Sequence, residues 1–219
     1  MAKLYEIHPT NPQARSIEEI IKKLRGGAVA VYPTDTSYAI GCDLQSKSAI
    51  ERVRQIKQFA NNKPLTFLCA SLSDIATYAI VRDEAYRLMK HFVPGPYTFI
   101  LPATKLVPKI IQDPKRKSTG IRVPDHSVCQ ALMAELGNPL ISTSAHLNIE
   151  DEEMDSSEEL FVELDKAKLF DSLDKLVDIL IDDGSVATNS ISTVLDVSDH
   201  SPTVLRQGMG WAEISSWVG

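Results

Sequence analysis

Val29-Ala30-Val31-Tyr32-Pro33-Thr34-Asp35-Thr36-Ser37-Tyr38-Ala39-Ile40-Gly41-Cys42-Asp43 is the stretch whose reading decides the fold. It opens as an apolar run of the length of a buried strand. Pro33 ends the run, and Thr34 to Ser37 form a polar elbow directly after it. Such a turn presents hydroxyls and freed backbone N–H groups at a sheet end, where small ligands bind. The same residues also read as an ordinary strand-to-loop turn bonding its own backbone.

The composition around this stretch is that of a globular protein. Of 219 residues, 43% are hydrophobic and 24% charged, enough apolar material for a full core. No apolar run approaches the roughly 20 residues of a membrane span. Met1-Ala2-Lys3-Leu4-Tyr5-Glu6 lacks an apolar signal core, so a soluble, cytoplasmic protein without a membrane partner is expected. Cys42, Cys69 and Cys129 are isolated, in apolar contexts and odd in number, which reads as buried thiols rather than a disulfide or metal framework. The net charge of −6 is uneven: residues 150–183 hold 14 acids against Lys166, Lys168 and Lys175, leaving the rest of the chain at +5. That asymmetry permits an anion-binding face.

Outward from the elbow, strand-like and helix-like segments alternate. Upstream, Ser16-Ile17-Glu18-Glu19 reads as a capping box opening a helix that Gly26-Gly27 stops, after an extended lead-in over residues 1–15. Downstream, a helix from Ser46–Ser48 turns Ile50, Val53 and Ile56 inward. Strands follow at residues 65–69, 97–101, 120–123, 139–144, 176–181, 192–196 and 204–206, with helices opening at Ser71, Asp83 and Ser127. Pro94-Gly95-Pro96 is a hard turn, and residues 105–117 form a lysine-rich, proline-broken loop. The expectation is an α+β fold, a mixed twisted sheet flanked by helices, in a single domain over residues 1–219.

Several of these strands carry hydroxyls or an arginine at one end: Thr34 and Thr36, Ser142 to Ser144, Ser192 and Thr193, and Arg206. Arg122 lies inside a strand beside isoleucine and valine, so it must be paired or line a pocket. If the strands are neighbours, their polar ends meet in one basin of cations and hydroxyls suited to a phosphate or carboxylate. A purely structural salt bridge is the alternative for Arg122. There is no Walker loop, no paired-histidine zinc motif and no nucleophile elbow. His126 and His146 flank candidate segments, but a lone histidine is more often a surface or helix-end residue.

Taken in order, the motifs resemble the YrdC/YciO family. They are Tyr32-Pro33-Thr34-Asp35-Thr36 with Gly41-Cys42-Asp43, Lys57, Lys63-Pro64-Leu65, Pro94-Gly95-Pro96-Tyr97-Thr98, Arg122-Val123-Pro124, Ser142-Thr143-Ser144-Ala145, Ser192-Thr193-Val194 and Val204-Leu205-Arg206-Gln207-Gly208. Together they span about residues 14–210. The opening segment and the Tyr97-Thr98-Phe99 wording look most like the YciO branch, and the length leaves no room for the extra C-terminal domain of longer members.

The resemblance implies a YrdC-like sheet with a positively charged concave face. It implies synthesis of L-threonylcarbamoyl-AMP from L-threonine, bicarbonate and ATP, with Mg²⁺ and release of pyrophosphate, feeding threonylcarbamoylation of a tRNA adenosine. Binding of tRNA or double-stranded RNA is also implied. Carried over by position, Thr34, Thr36 and Ser192 line the threonine site and Arg122 holds its carboxylate. Lys57, Ser142, Ser144 and Arg206 face the nucleotide, and Lys63 lies near the triphosphate. Two positions depart from the family pattern. Phe59 stands where Lys-x-Arg is usual after Lys57, and His146 where Ser-x-Asn is usual after Ser144. A phenylalanine cannot grip phosphates as a guanidinium does, and an imidazole titrates where an amide does not. Both departures fall on the nucleotide side, so weakened or redirected ATP chemistry is expected. The other reading is an RNA- or nucleotide-binding protein that keeps the basin without efficient catalysis.

Overall fold

The computed structural model describes residues 1–58, 64–146 and 163–218. Phe59 and Lys63, and most of the acidic stretch ahead of Glu163, lie outside them. The chain begins with strand β1 (Lys3–Glu6), helix α1 (Ala14–Arg25), β2 (Ala30–Tyr32), β3 (Ala39–Gly41) and α2 (Lys47–Ile56). Next come β4 (Thr66–Leu68), α3 (Leu72–Tyr78), α4 (Asp83–Phe92), β5 (Tyr97–Pro102), β6 (Ser118–Arg122), α5 (Ser127–Leu136) and β7 (Leu140–Ser144). After the undescribed stretch follow β8 (Glu163–Leu164), α6 (Lys166–Leu173), β9 (Ile179–Asp182), β10 (Ala187–Thr188), β11 (Thr193–Asp196), β12 (Thr203–Arg206) and α7 (Trp211–Ile214).

Among the described residues, ten strands form one mixed sheet in the order β1-β9-β2-β3-β7-β4-β6-β5-β11-β12. Its central strands are buried on both faces, which is why the opening stretch reads as a continuous apolar run. Ala30 and Tyr32 pack on one face with Ile17, Ile20, Ile21 and Leu24 of α1 and Val128, Leu132 and Leu136 of α5. Val29, Val31 and Ile40 pack on the other with Ile50 and Val53 of α2, Phe67 and Met89. β2 turns through the elbow into β3, which pairs with β2 on one side and β7 on the other. At Gly41 a Cβ would lie 1.7 Å from the Ile141 carbonyl oxygen, so β3 and β7 approach this closely only with glycine.

Two expectations are corrected. The first helix starts at Ala14, with Gln13 as its N-cap, and Ser16 sits inside the first turn. The Gln13 carbonyl accepts from Ile17 N–H, and Glu19 turns to Lys3 at 2.8 Å instead of back to Ser16. The lead-in contains β1, an edge strand in parallel register with β9. Only Tyr5 of its residues is buried, so it lacks the apolar run that marks the inner strands. The helices read at Ser46–Ser48, Ser71, Asp83 and Ser127 open there: Ser46 and Ser71 accept from the backbone N–H three residues on, and Gly137 ends α5 at φ 75°. Ile111 buries itself within the lysine-rich loop, and Arg116 there is paired with Asp196.

Candidate functional site

The elbow folds onto the end of β6. The Thr34 hydroxyl donates to the Ser37 carbonyl at 2.6 Å and accepts from Thr36 N–H at 3.2 Å, which closes the turn. The two threonine hydroxyls lie 3.1 Å apart. Arg122, 7% exposed, reaches the elbow from β6. Its Nη1 donates to Thr36 Oγ1 at 2.9 Å, its Nη2 to Asp35 Oδ1 at 2.5 Å and its Nε to the Gly95 carbonyl at 3.3 Å. Asp35 Oδ2 also accepts the backbone N–H of Asp125 at 3.1 Å. The strand arginine is therefore both paired and part of the polar elbow. These bonds use three of the five guanidinium N–H donors, and the other two have no acceptor among the described residues.

Ser192 and Arg206 form a second hydrogen-bonded group. Ser192 precedes β11, and its hydroxyl lies 2.9 Å from Thr98 Oγ1. Arg206, at the end of β12, donates from Nη2 to Ser192 Oγ and from Nε to the Ser192 carbonyl, both at 3.1 Å. Desolvation first and the like charge of Arg122 second hold the Arg206 guanidinium below its usual pKa. Each guanidinium is held by a hydroxyl, Arg122 by Thr36 and Arg206 by Ser192, and Arg122 by the Asp35 carboxylate as well.

The end of β7 carries the remaining positions. Ser144 lies opposite Ala39, just after the elbow, and Ala145 N–H donates to the Tyr38 carbonyl at 2.9 Å. Ser142 lies opposite Thr66 of β4. Lys57, at the C-terminus of α2, donates its ammonium to the His146 carbonyl. The His146 ring is buried, and neither nitrogen has a hydrogen-bond partner among the described residues. Burial first and Lys57 second hold it below the usual histidine range, so it is neutral at pH 7.

Sequence reasoning missed the groups that hold the elbow in place. Asp35 pairs with Arg122, but an aspartate between threonines in a turn reads as a local Asx group. Behind the elbow, Asp183 accepts from Tyr38 OH at 3.2 Å and Ser185 Oγ at 2.6 Å, and lies 3.1 Å from His126 Nε2. Burial raises its carboxyl pKa, but the bonds from His126 and Ser185 outweigh this and leave it well below the usual range. Thr188 donates to the Thr36 carbonyl at 2.8 Å. The cysteines are buried thiols, as read, and burial pushes their pKa values up. Among the described residues no group of His, Cys, Asp and Glu side chains could hold a metal ion, and no helix is long and apolar enough to cross a membrane.

Comparison with known proteins gives the same family as the motifs. The Sua5/YciO/YrdC family model, described as telomere recombination, matches residues 22–208. YciO of Escherichia coli K12 is 42% identical over 210 residues, covering 96% of this chain and 97% of that protein. Its crystal structure superposes with a TM-score of 0.85 at 41% identity, covering 95% and 97% of the two chains. The threonylcarbamoyl-AMP synthase of Vibrio vulnificus YJ016 is 35% identical over 136 residues, 61% of this chain and 73% of that one. In fold, P. abyssi Sua5 complexed with L-threonine is similar with a TM-score of 0.84 at 24% identity, over 100% of this chain and 61% of that one.

Proposed function

The chain belongs to the Sua5/YciO/YrdC family, and from that premise we propose that it binds L-threonine in the Arg122 basin and adenylates its carbamate. The observation that carries this reading is Arg122 itself, buried, fixed by Asp35, Thr36 and Gly95, and with a hydrogen on each terminal nitrogen left over. A group so held meets a carboxylate at little further ordering cost. Synthase relatives and a protein of this fold complexed with L-threonine support the choice of amino acid.

The chemistry suits a site of cations and hydroxyls. Threonine's amine captures carbon dioxide from bicarbonate as a carbamate, whose oxygen attacks the α-phosphorus of ATP and displaces pyrophosphate. The protein's part is to align two anions and neutralise developing charge. Arg122 holds the threonine carboxylate, with Thr34, Thr36 and Ser192 around it. Arg206, Lys57, Ser142 and Ser144 meet the nucleotide, and Lys63 the triphosphate. Mg²⁺ would accompany ATP as its counter-ion and neutralise charge on the phosphates. The product serves tRNA modification.

His146, a buried neutral ring on the nucleotide side, favours slow turnover and gives the second reading its footing. In that reading the basin serves RNA or nucleotide binding, and RNA affinity falls steeply with salt. The first is tested by calorimetry with L-threonine. Arg122→Ala is expected to weaken binding by about 1.5–3 kcal/mol, the worth of a charged hydrogen bond. Unchanged affinity would remove Arg122 from the site.

A further inference from the structure

Arg206 ends β12, an edge strand, where an arginine side chain is ordinarily free to swing. Here Nε donates to the Ser192 carbonyl and Nη2 to Ser192 Oγ, so two bonds to one residue fix the position and the plane of the guanidinium. Among the described residues it pairs with no carboxylate, and its remaining N–H donors have no acceptor. Where this charge points is therefore decided by Ser192. The Ser192 backbone is fixed by its bridge to Met209, but its Oγ can turn among three rotamers unless something holds it. Thr98 is placed to hold it. It lies buried in β5, between β6 and β11, and Val194 of β11 stands opposite it in parallel register. Ser192, two residues before Val194, is thus on the same face of the sheet. The Thr98 methyl faces Gly120 of β6, where an added Cβ would lie 3.4 Å from it. The hydroxyl faces β11, 2.9 Å from Ser192 Oγ, and has no other partner among the described residues.

We propose that Thr98 is a positioning residue, acting through Ser192 to hold the Arg206 fork ready for an anionic oxygen of the ligand. This rests on reading Ser192 and Arg206 as ligand-binding groups. Thr98 itself touches no ligand. Without its hydroxyl, Ser192 Oγ turns freely and Arg206 keeps only the bond to the Ser192 carbonyl, about which the guanidinium pivots. A ligand must then order both side chains as it binds, and its affinity falls accordingly.

The test is a double-mutant cycle on the full chain, read by calorimetry with L-threonine and with ATP as separate probes. Thr98→Val replaces the hydroxyl by a methyl of similar size. Alone it should weaken binding of each probe about threefold to tenfold, the worth of one hydrogen bond. In the Ser192→Ala background, where no Oγ remains to be held, it should add nothing. Thr98→Ser keeps the hydroxyl and should restore most of the affinity. A merely structural role would give the same loss in both backgrounds, and that result, or no loss at all, would overturn the proposal. A second measurement needs no ligand. Solvent exchange of the Arg206 Nε–H, followed by nuclear magnetic resonance in the free protein, should quicken in Thr98→Val and stay unchanged in Thr98→Ser. If Thr98→Val does not fold, Thr98→Ala replaces it in both measurements. If the natural protein binds neither threonine nor ATP, the synthase reading fails, and the exchange rate alone decides: quickened exchange upholds the role of Thr98, and unchanged exchange overturns it.

Discussion

Arg122 and Asp35 are each nearly buried, so changing one leaves the other charge uncompensated. Arg122→Lys keeps the charge but loses the planar fork, and it should lower both the melting temperature and threonine affinity, where a surface Arg-to-Lys exchange would do neither. Asp183 is the second buried carboxylate behind the elbow. With its folded pKa below the ordinary value near about 3.9, it contributes stability above that pH, which is lost as pH falls towards the folded value. Asp183→Asn should therefore cost about 1–3 kcal/mol at neutral pH, and denaturant titrations should show the gap to the natural protein narrowing below about pH 4. His146 works through the same sign. Its folded pKa is lowered, so the unfolded chain takes up a proton near about pH 6.5 while the native ring does not, and stability falls as pH drops through that value. His146→Asn should flatten the fall in melting temperature between about pH 7 and about pH 5. At this scale the sequence shows Arg122, because a strand arginine among apolar residues demands a partner. It does not show Asp35 or Asp183 as partners, since their bonds join residues distant in the chain that only the folded sheet brings together.

The elbow and β3 form the element on which the site depends. Thr34 and Ser37 close the turn locally, and β3 carries it on to Ser144 through the β3–β7 pairing. Gly41→Ala would push a methyl into the Ile141 carbonyl, so the pair must separate. The expected result is a loss of about 3 kcal/mol or more in chemical denaturation, as for other overpacked interior positions, together with loss of threonine binding. An unchanged denaturation midpoint would mean that the β3–β7 approach is looser than described. Elements with their own signals are legible in the sequence: β2 through its apolar run and Pro33, and α5 through Gly137, at the bounds expected. β1 and the true start of α1 are not. β1 is mostly exposed and defined by pairing with a strand far along the chain, and helix-compatible Ala14 and Arg15 let α1 begin before the Ser16 signal.

Across the molecule, the mixed sheet holds Thr34, Thr36 and Arg122 in one hydrogen-bonded group and Ser192 and Arg206 in another, while Ser144 ends β7 and Lys57, after α2, bonds the His146 carbonyl just past it. The sequence places each of these polar residues at or beside a strand end, and the strands that carry them are neighbours in the sheet. The cavity lined by Asp35, His91, Asp125 and Glu213 was not legible, because these residues lie far apart in the chain. Combining Phe59→Arg with His146→Asn should raise pyrophosphate release if those departures limit the nucleotide half, and no gain would place the limit elsewhere. The central claim is threonine-dependent adenylation, and its most direct test is pyrophosphate release from ATP by the purified protein with bicarbonate and Mg²⁺, with and without L-threonine. The account predicts release that requires threonine and yields threonylcarbamoyl-AMP. Absence of threonine-dependent release, with neither threonine nor ATP bound, would contradict it.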